Sequence, residues 1–311
     1  MILFAFYSIL IRADFILLDE IDIIEGAMTF HIRIKIVTLL MACLCTNAMA
    51  VNFKTHKVTE NIYVLFGQGG NIAIHLGEDG IYIVDDQFAK LSRQIKKQIS
   101  ALKPGFPEFV INTHFHGDHT GGNEAFARSG SHVIAHDNVH KRLLAKHGSE
   151  SHYLPKISFS HDLALHFNNE QAQVKHFSHA HTDGDAVVTF TRANVVHMGD
   201  LYFNLGGLPF IDVDHGGSVN GLLKALRAIC LSIDDETVVI PGHGQISNKN
   251  QLLQYIALIE KARFLILQAM KSAKTEEQMV QLDPLSTLAI TYANWLPKER
   301  VTRLFYRSLA Q

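Results

Sequence analysis

Short apolar segments separated by turn residues run through the chain from Val51 to about residue 245. They are rich in Val, Ile, Phe and Tyr, and Gly, Asn and Asp fill the gaps, which is the pattern of β-strands joined by turns. The predicted strands lie at 61–66, 71–76, 81–84, 108–112, 132–136, 163–168, 171–177, 186–190, 194–196 and 237–240.

Segments of helical periodicity lie between and after these strands. Residues 88–102 keep a helical spacing of apolar positions, and Asp137 is placed to cap a helix that reaches about Lys146. Residues 248–311 have a helical pattern with a broad apolar face over 252–265, a second stretch at 285–295 and a third that starts at Pro297. Strand-then-helix order of this kind is typical of layered α/β folds.

Composition narrows the class of protein only a little. The chain has 311 residues, of which 47% are hydrophobic and 19% charged, so it is long enough to bury one sizeable core. Its formal net charge is −2 and no basic run is visible, so composition offers no support for nucleic acid as a partner. We expect a small-molecule substrate.

The segment 113–119, Thr-His-Phe-His-Gly-Asp-His, concentrates candidate metal ligands. His114, His116, Asp118 and His119 fall within six residues, directly after the strand predicted at 108–112. In an extended strand His114 and His116 would point the same way, and Gly117 would then let the backbone turn so that Asp118 and His119 face a second position. Imidazole with carboxylate suits zinc and other first-row divalent metals.

Three more strand-end groups carry ligand-type residues. They are His179-Ala180-His181-Thr182-Asp183-Gly184-Asp185, His197-Met198-Gly199-Asp200 and Pro241-Gly242-His243-Gly244. Each is weak evidence alone, but four such groups in one chain predict a dinuclear site. Asp85, which ends the strand at 81–84, is expected to orient the metal loop through a hydrogen bond rather than to bind metal itself.

These motifs together resemble the metallo-β-lactamase superfamily. The match consists of H-x-H-x-D-H at 114–119, H-T-x-G-D at 181–185, Gly199-Asp200 and Pro-Gly-His-Gly at 241–244. The resemblance implies a four-layer αββα sandwich with the metals at one edge between the sheets. It implies His114, His116 and His181 for the first metal, Asp118, His119 and His243 for the second, and Asp200 as a bridge. His179 is an alternative to His181 as the third ligand of the first metal, but only His181 precedes Thr-x-Gly-Asp.

The ligand set predicts metal-dependent hydrolysis. Two divalent ions, zinc in the first place with iron or manganese as alternatives, would share a water and lower its pKa from about 15.7 in bulk to about 7. The hydroxide would attack an ester, thioester, lactone or amide-type bond, and Asp118 would orient it and pass a proton to the leaving group.

The substrate stays open at this point. A true class B β-lactamase is one candidate, although the commonest subclass carries Cys at the position of Asp200 and an anchoring Lys where Phe203 stands. A glyoxalase II-like thioesterase keeps the bridging Asp but works mainly in the cytosol or mitochondria. We favour an exported superfamily hydrolase of another specificity. An iron-dependent sulfur dioxygenase of the same fold needs only part of this ligand set, and a non-catalytic binding protein would have been expected to lose ligands.

The first fifty residues predict export. Residues 28–50 place Arg33 and Lys35 before an apolar run and end in Ala48-Met49-Ala50, the order of a secretory signal peptide. Residues 1–27 then form an upstream extension, and residues 51–311 form the metallo-β-lactamase-fold domain with its C-terminal helices. We expect a periplasmic or secreted protein without stable membrane insertion after processing. A membrane anchor and a lipoprotein processed at Cys43 are the less favoured alternatives.

The remaining cysteine, Cys230, is expected to be structural. It shares a helical apolar face with Leu222, Leu226 and Ile229, so we predict a buried thiol in the core.

Overall fold

The computed structural model describes residues 51–311. The predicted signal peptide at 28–50, the upstream extension and Cys43 lie outside the described residues. Within residues 51–311, no helix has the length and apolar character that a bilayer crossing needs.

The first sheet has seven strands in the order of the sequence. They are β1 (Lys54–Lys57), β2 (Ile62–Phe66), β3 (Ile72–Leu76), β4 (Ile81–Val84), β5 (Phe109–Ile111), β6 (His132–His136) and β7 (Ile157–Phe159). Strands β1 to β4 are antiparallel and β4 to β7 are parallel. Parallel neighbours need crossover segments. These contain helices α1 (Ser92–Leu102), α2 (Gly117–Thr120), α3 (Asn123–Ala127) and α4 (Asp137–His147).

The second sheet has six strands, in the order β15-β13-β11-β10-β9-β8. The bounds are β8 (Asp162–Phe167), β9 (Glu170–His176), β10 (Ala186–Phe190), β11 (Val195–His197), β13 (Val238–Ile240) and β15 (Ser247–Asn248). A separate parallel pair joins β12 (Phe203–Asn204) to β14 (His243–Gly244). This pair ties the segment after Asp200 to the segment that carries His243.

The two sheets pack face to face through their apolar sides. Val64, Val84 and Ile111 of the first sheet share one buried cluster with Val188 and Ile240 of the second. The alternation of buried and exposed residues along β8 and β9 follows from the two faces of a strand, one of which meets this core.

Helices cover the outer face of the second sheet. These are α5 (Val219–Ser232), α6 (Lys249–Ala269), α7 (Glu276–Leu282) and α8 (Lys298–Ala310). Leu226 of α5, Ile256 of α6 and Phe305 of α8 are buried in one cluster with Val187 and Val196 of the sheet. The α/β class and the four-layer αββα architecture are confirmed.

Most predicted elements lie within one or two residues of those observed, but three expectations were wrong. Residues 285–295 are not helical, and the helix in this region is instead α7, seven residues long. Thr275 caps that helix by accepting a hydrogen bond from Gln278 N at 3.2 Å, a local signal that the apolar pattern obscured. Helix α4 is capped by His136, whose Nδ1 accepts from Asn138 N at 3.2 Å, and Asp137 is its first residue.

The third difference concerns the metal loop. Strand β5 ends at Ile111, and His114 lies in a bend rather than on extended backbone. His116 is the N-cap of α2. The two side chains converge because the loop folds, not because both lie on one face of a strand. Cys230 is a buried free thiol on α5, as expected.

Candidate metal centre

Three histidines meet in the first cluster of the site. The Nε2 atom of His114 and the Nε2 atom of His181 each lie 3.0 Å from Nδ1 of His116. His114 and His181 are fully buried, whereas His116 lies at the edge of a cleft. One donor atom from each of them, together with a carboxylate oxygen of Asp200, falls within 4.8 Å of all the others.

The second cluster lies on the other side of Asp200. The Nε2 atoms of His119 and His243 are 3.3 Å apart. One oxygen of Asp118 lies 3.3 Å from Nε2 of His243 and 3.6 Å from Nε2 of His119. Asp118 and His243 are partly exposed to the cleft, and His119 is buried. Strand-end turns from both sheets therefore supply both clusters.

Asp200 lies between the clusters. Its Oδ1 is 3.1 Å from Nε2 of His119 and 3.3 Å from Nε2 of His243, and its Oδ2 is 3.6 Å from Nε2 of His181. Oδ1 is buried and has no hydrogen-bond partner among the described residues. Gly242 makes room for it, because a Cβ at that position would lie 2.1 Å from Oδ1.

The partner of the second ring nitrogen fixes the tautomer of four of the five histidines. Nε2 of His116 donates to Asp212 Oδ2 at 2.9 Å, and Nδ1 of His181 donates to the Phe210 carbonyl at 2.9 Å. Nδ1 of His119 donates to Asp85 Oδ2 at 2.7 Å. The Thr113 hydroxyl donates to Asp85, so it accepts from Nδ1 of His114 at 3.1 Å. Each proton is assigned from its partner.

With these tautomers the inward nitrogens of His114, His116 and His181 carry lone pairs and no proton. Lone pairs that face one another at 3.0 Å repel, and no protein donor among the described residues lies between them. A cation removes the repulsion and gives the orphan Asp200 oxygen a partner. The residues therefore fit one divalent ion at each cluster, with Asp200 placed to touch both.

The histidine pKa values shift in opposite directions in the two clusters. Burial lowers the pKa of His181 to about 4 and that of His114 well below its usual value, so both stay neutral, the form that binds metal. At His119 and His243 burial acts in the same direction, but the carboxylates of Asp200 and Asp118 outweigh it. They raise the pKa of His243 to about 9 and that of His119 well above its ordinary value.

Known proteins match this chain in sequence and fold. The sequence model of the metallo-beta-lactamase superfamily matches residues 61–243, which contain every residue of both clusters. The chain belongs to the metallo-beta-lactamase superfamily.

Two relatives illustrate the range of this superfamily. A hydroxyacylglutathione hydrolase of Polaromonas sp. is 30% identical over 141 residues, which is 45% of this chain and 49% of that protein. A metallo-beta-lactamase type 2 of Bacillus sp. is 26% identical over 188 residues, or 58% of this chain and 69% of that protein. The chain thus spans about half the length of the hydroxyacylglutathione hydrolase that it matches.

Solved structures of the superfamily share the fold. The metallo-beta-lactamase from Pontibacter korlensis superposes with a TM-score of 0.60 at 17% identity, covering 67% of this chain and 99% of that one. The DIM-1 metallo-beta-lactamase gives a TM-score of 0.59 at 19% identity, with 68% and 99% covered. At these identities the likeness supports the fold alone.

The structure brings every predicted ligand of the superfamily motif into one site. Asp85 lies behind His119, as expected, and its Oδ1 also accepts from Thr113 N at 2.8 Å. Its backbone has φ of 64°, in the left-handed region, so some strain is held there by these contacts. His179 does not join the site, because it is exposed and its Nδ1 donates to the Gly216 carbonyl.

Two histidines outside the motifs support the site indirectly. His197 is buried, donates from Nε2 to the Asn71 carbonyl at 3.0 Å and accepts at Nδ1 from Gly199 N at 3.2 Å, so it braces the turn that carries Asp200. His215 lies at the rim and donates to Asp212 at 2.8 Å.

Asp212 is the residue that sequence reasoning missed. It is 96 residues from His116 in the chain, yet its carboxylate orients the His116 ring. Burial acts to raise the pKa of Asp212, but the hydrogen bonds from His116 and His215 outweigh it and lower the pKa to about 2. No motif marks this position, and the Asp212-Val213-Asp214-His215 sequence alone is an ordinary polar turn.

A cleft of about 520 Å³ opens onto the two clusters. Its floor contains His116, Asp118, Asp200 and His243. Its walls are mostly apolar, with Gln68 and Gly117 beside Phe88, Phe203, Leu205, Phe210 and Trp295. A small molecule in the cleft therefore meets aromatic and aliphatic side chains beside the donor atoms.

Proposed function

We propose that this protein is a dinuclear zinc-dependent hydrolase that cleaves an ester, thioester, lactone or amide-type bond. The observation that carries the proposal is the convergence of three unprotonated imidazole nitrogens in the first cluster beside a second cluster of two imidazoles and a carboxylate, with Asp200 between them. Such a donor set suits zinc-class ions. The named activities of the relatives, hydroxyacylglutathione hydrolase and metallo-beta-lactamase, support hydrolysis as the reaction class.

Bound divalent ions would acidify a water molecule and polarise a carbonyl group in the cleft. His114, His116 and His181 would hold the first ion, and Asp118, His119 and His243 the second, with Asp200 between them.

Asp118 is the residue that we assign to proton transfer. Its carboxylate lines the cleft, whereas the carboxylates of Asp85 and Asp212 lie behind histidines. Burial would raise the pKa of Asp118, but the imidazoles of His119 and His243 reverse the shift and keep the pKa below the ordinary value. The side chain is therefore ionised at neutral pH, able to accept a proton at the cleft and return it to a leaving group.

Metal content and a substrate screen test this proposal together. Protein purified without chelator should contain about two zinc-class ions per chain, measured by elemental analysis. A panel of β-lactams, thioesters, lactones, carboxylic esters and phosphoesters should then reveal one hydrolysed class. A fixed content of one iron per chain would instead favour the sulfur dioxygenase alternative. Two bound metals with no hydrolysis of any class would refute a hydrolase.

We also propose that the protein is exported. The support is the order of basic, apolar and Ala-x-Ala residues within 28–50. N-terminal sequencing of protein from its native host should give a mature start at Val51. A cytosolic form that retains residues 28–50 would contradict export.

A further inference from the structure

The C-terminal part of the chain adds an apolar wall to the cleft. Trp295 lies beyond residues 61–243, the range that the superfamily model matches. It lines the cleft opposite the donor residues and contacts Phe210 edge-on, with ring centroids 6.2 Å apart. Because its side chain is 51% exposed, an apolar surface is left open to solvent beside the metal clusters.

A second, narrower cavity continues this surface. It has about 220 Å³ and shares Phe203, Leu205 and Trp295 with the cleft. The cavity has no charged residue among those that line it, and its remaining walls come from the 207–208 and 291–296 segments. The cleft and the cavity thus adjoin at these three side chains, and the two together are called the channel below, with the donor atoms at one end and the 207–208 and 291–296 segments at the other.

A close backbone approach holds the channel in place. A Cβ at Gly207 would lie 2.3 Å from the Thr291 carbonyl oxygen, so only glycine lets the two segments touch. Thr291 N donates to the Gly206 carbonyl at 3.3 Å. On the other side, Phe203 is stacked on the His243 ring, with centroids 5.3 Å apart and 5° between the planes. One wall of the channel is therefore fixed to a residue of the second cluster.

The cations near the channel are engaged elsewhere. The Arg300 guanidinium lies over the Phe210 ring at 5.1 Å and donates to the Trp295 carbonyl at 2.9 Å. The Lys90 ammonium lies 5.7 Å from the centre of the Phe88 ring. Neither Arg300 nor Lys90 lines the cleft or the narrower cavity. Among residues 51–311, no lysine or arginine lines the cleft or the narrower cavity, so a carboxylate on the substrate could meet a cation only at the donor residues.

We propose that the channel binds an uncharged alkyl or aryl group of the substrate, joined to the bond that is cleaved at the donor residues. This inference rests on the proposed hydrolase function and narrows it to apolar acyl or aryl substrates. Leu205 and Trp295 are the specificity-determining residues. Burial of apolar surface between them supplies the affinity.

The single tryptophan of the chain makes binding measurable without metal or activity. The 311-residue sequence contains one Trp, so its emission reports on the channel alone. Straight-chain 1-alkanols from ethanol to octanol are the probes, with hexanoate and octanoate as charged counterparts. We expect a saturable blue shift, and affinity should rise roughly fourfold per methylene group until the channel is full.

Two matched leucines provide the variant and its control. Leu205 and Leu253 are both 48% exposed, but Leu253 lies on α6, away from the channel. Leu205→Ser should weaken octanol binding by about fivefold or more, since most of the leucine contact is lost. Leu253→Ser should leave octanol binding within about twofold, in line with a surface substitution. Thermal unfolding of both variants checks that neither has lost its fold.

Hydrolysis supplies the second measurement. For metal-loaded protein, kcat/KM on p-nitrophenyl esters should rise from acetate to hexanoate or octanoate, and Leu205→Ser should flatten that trend. Hydrolysis without a chain-length trend, and without any tryptophan response, would overturn the channel while leaving the hydrolase standing. Equal affinities of hexanoate and octanoate would also overturn it, because two more methylene groups in the channel should strengthen binding whatever the head group. Chain-length-dependent binding without hydrolysis of the p-nitrophenyl esters or of any class in the substrate panel would support the channel and refute the hydrolase.

Discussion

Both ends of the sandwich contain histidines and carboxylates, but only at one end do several of these groups point at each other without a hydrogen-bond donor between them. At the metal end, Nδ1 of His116 meets two other imidazole nitrogens at 3.0 Å, and Asp200 Oδ1 has no partner. The opposite end, at the far termini of β3, β9 and β10, contains a larger cavity of about 1070 Å³ lined by His75, Asn168 and Glu170. Cavity volume alone would therefore select the end that lacks the two histidine clusters as the functional site.

Protein partners satisfy Glu170 and Asn168 at the opposite end. Glu170 accepts from Gln171 N at 2.8 Å, from Arg192 N at 2.9 Å and from Ala193 N at 2.9 Å, so it caps the turn between β10 and β11. The Asn168 amide donates to Nδ1 of His75 at 3.1 Å. These groups stabilise turns and need no ligand.

The difference shows how to separate a structural polar cluster from a ligand site. Buried polar groups are normally paired within the protein. A cluster in which every hydrogen-bond donor has an acceptor needs no ligand. A cluster with a surplus of inward lone pairs requires a cation. The metal end has that surplus and the opposite end does not.

The largest expected effect is at Asp118. Asp118→Asn should lower kcat by roughly 10²–10⁴, because an amide cannot accept the proton at the cleft although its oxygen can still coordinate. Activity and bound metal must be measured together on a hydrolysed substrate. The control is Asp79→Asn at the opposite end, where the Asp79 carboxylate accepts from Asn168 N, and there kcat should not change. Near-full activity of Asp118→Asn with both metals bound would rule out this role.

The next effect separates the two ends directly. Asp212→Ala and Asp85→Ala should each weaken metal binding by roughly 10–100-fold, since they free the rings of His116 and His119 to rotate. Glu170→Ala should leave metal affinity unchanged but lower the free energy of unfolding by about 1–3 kcal/mol, because the N–H groups of the turn lose their hydrogen-bond acceptor. Chelator competition and chemical denaturation measure the two quantities. Equal losses of metal affinity in all three variants would contradict the assignment of a metal site to one end and a structural polar cluster to the other.

His243→Ala should have a partial and reversible effect. It removes one donor of the second cluster, so the second ion should be bound more weakly and excess zinc should restore part of the activity. Titration of activity against added zinc measures this. If excess zinc had no effect while one ion remained bound, the second cluster would not be a separate binding site.

The smallest effect concerns His75 at the opposite end. Burial lowers the pKa of His75 from 6.5 to about 4. Between pH 6.5 and about pH 4, His75 is therefore protonated in the unfolded chain but neutral in the folded protein. Stability should therefore fall as pH drops through this window, by about 1–2 kcal/mol between pH 7 and pH 5 from this group. The free energy of unfolding of His75→Gln should fall less steeply than that of the unsubstituted protein. Parallel curves would show that His75 does not contribute.

The predictions that succeeded from sequence depended on local order. Strands β4, β6 and β10 were predicted with their observed bounds, because apolar runs with sharp turn residues mark both ends. His114, His116, Asp118 and His119 were found because six residues of one loop supply four ligand atoms, and backbone connectivity forces them near each other.

Other features had no local signal. The pattern at 285–295 predicted a helix, but the segment is instead irregular and ends at Trp295, which lines the cleft. Leu285 and Leu288 are buried in the core beneath the outer helices, and the Thr291 backbone packs against Gly207, contacts that helical spacing cannot reveal. Likewise, the pairing of Asp212 with His116 joins residues that are 96 positions apart.

The sequence by itself determined the fold class and the identities of the histidines and aspartates that form the two clusters, because strand periodicity and closely spaced motifs act over short stretches of chain. The tertiary structure decided which nitrogen of four of these histidines faces inward, since that choice depends on Asp85, Asp212, Thr113 and the Phe210 carbonyl. It also decided the apolar wall of the cleft, because segments 205–208 and 291–296 meet only when the helices after β15 bring the chain back across the site.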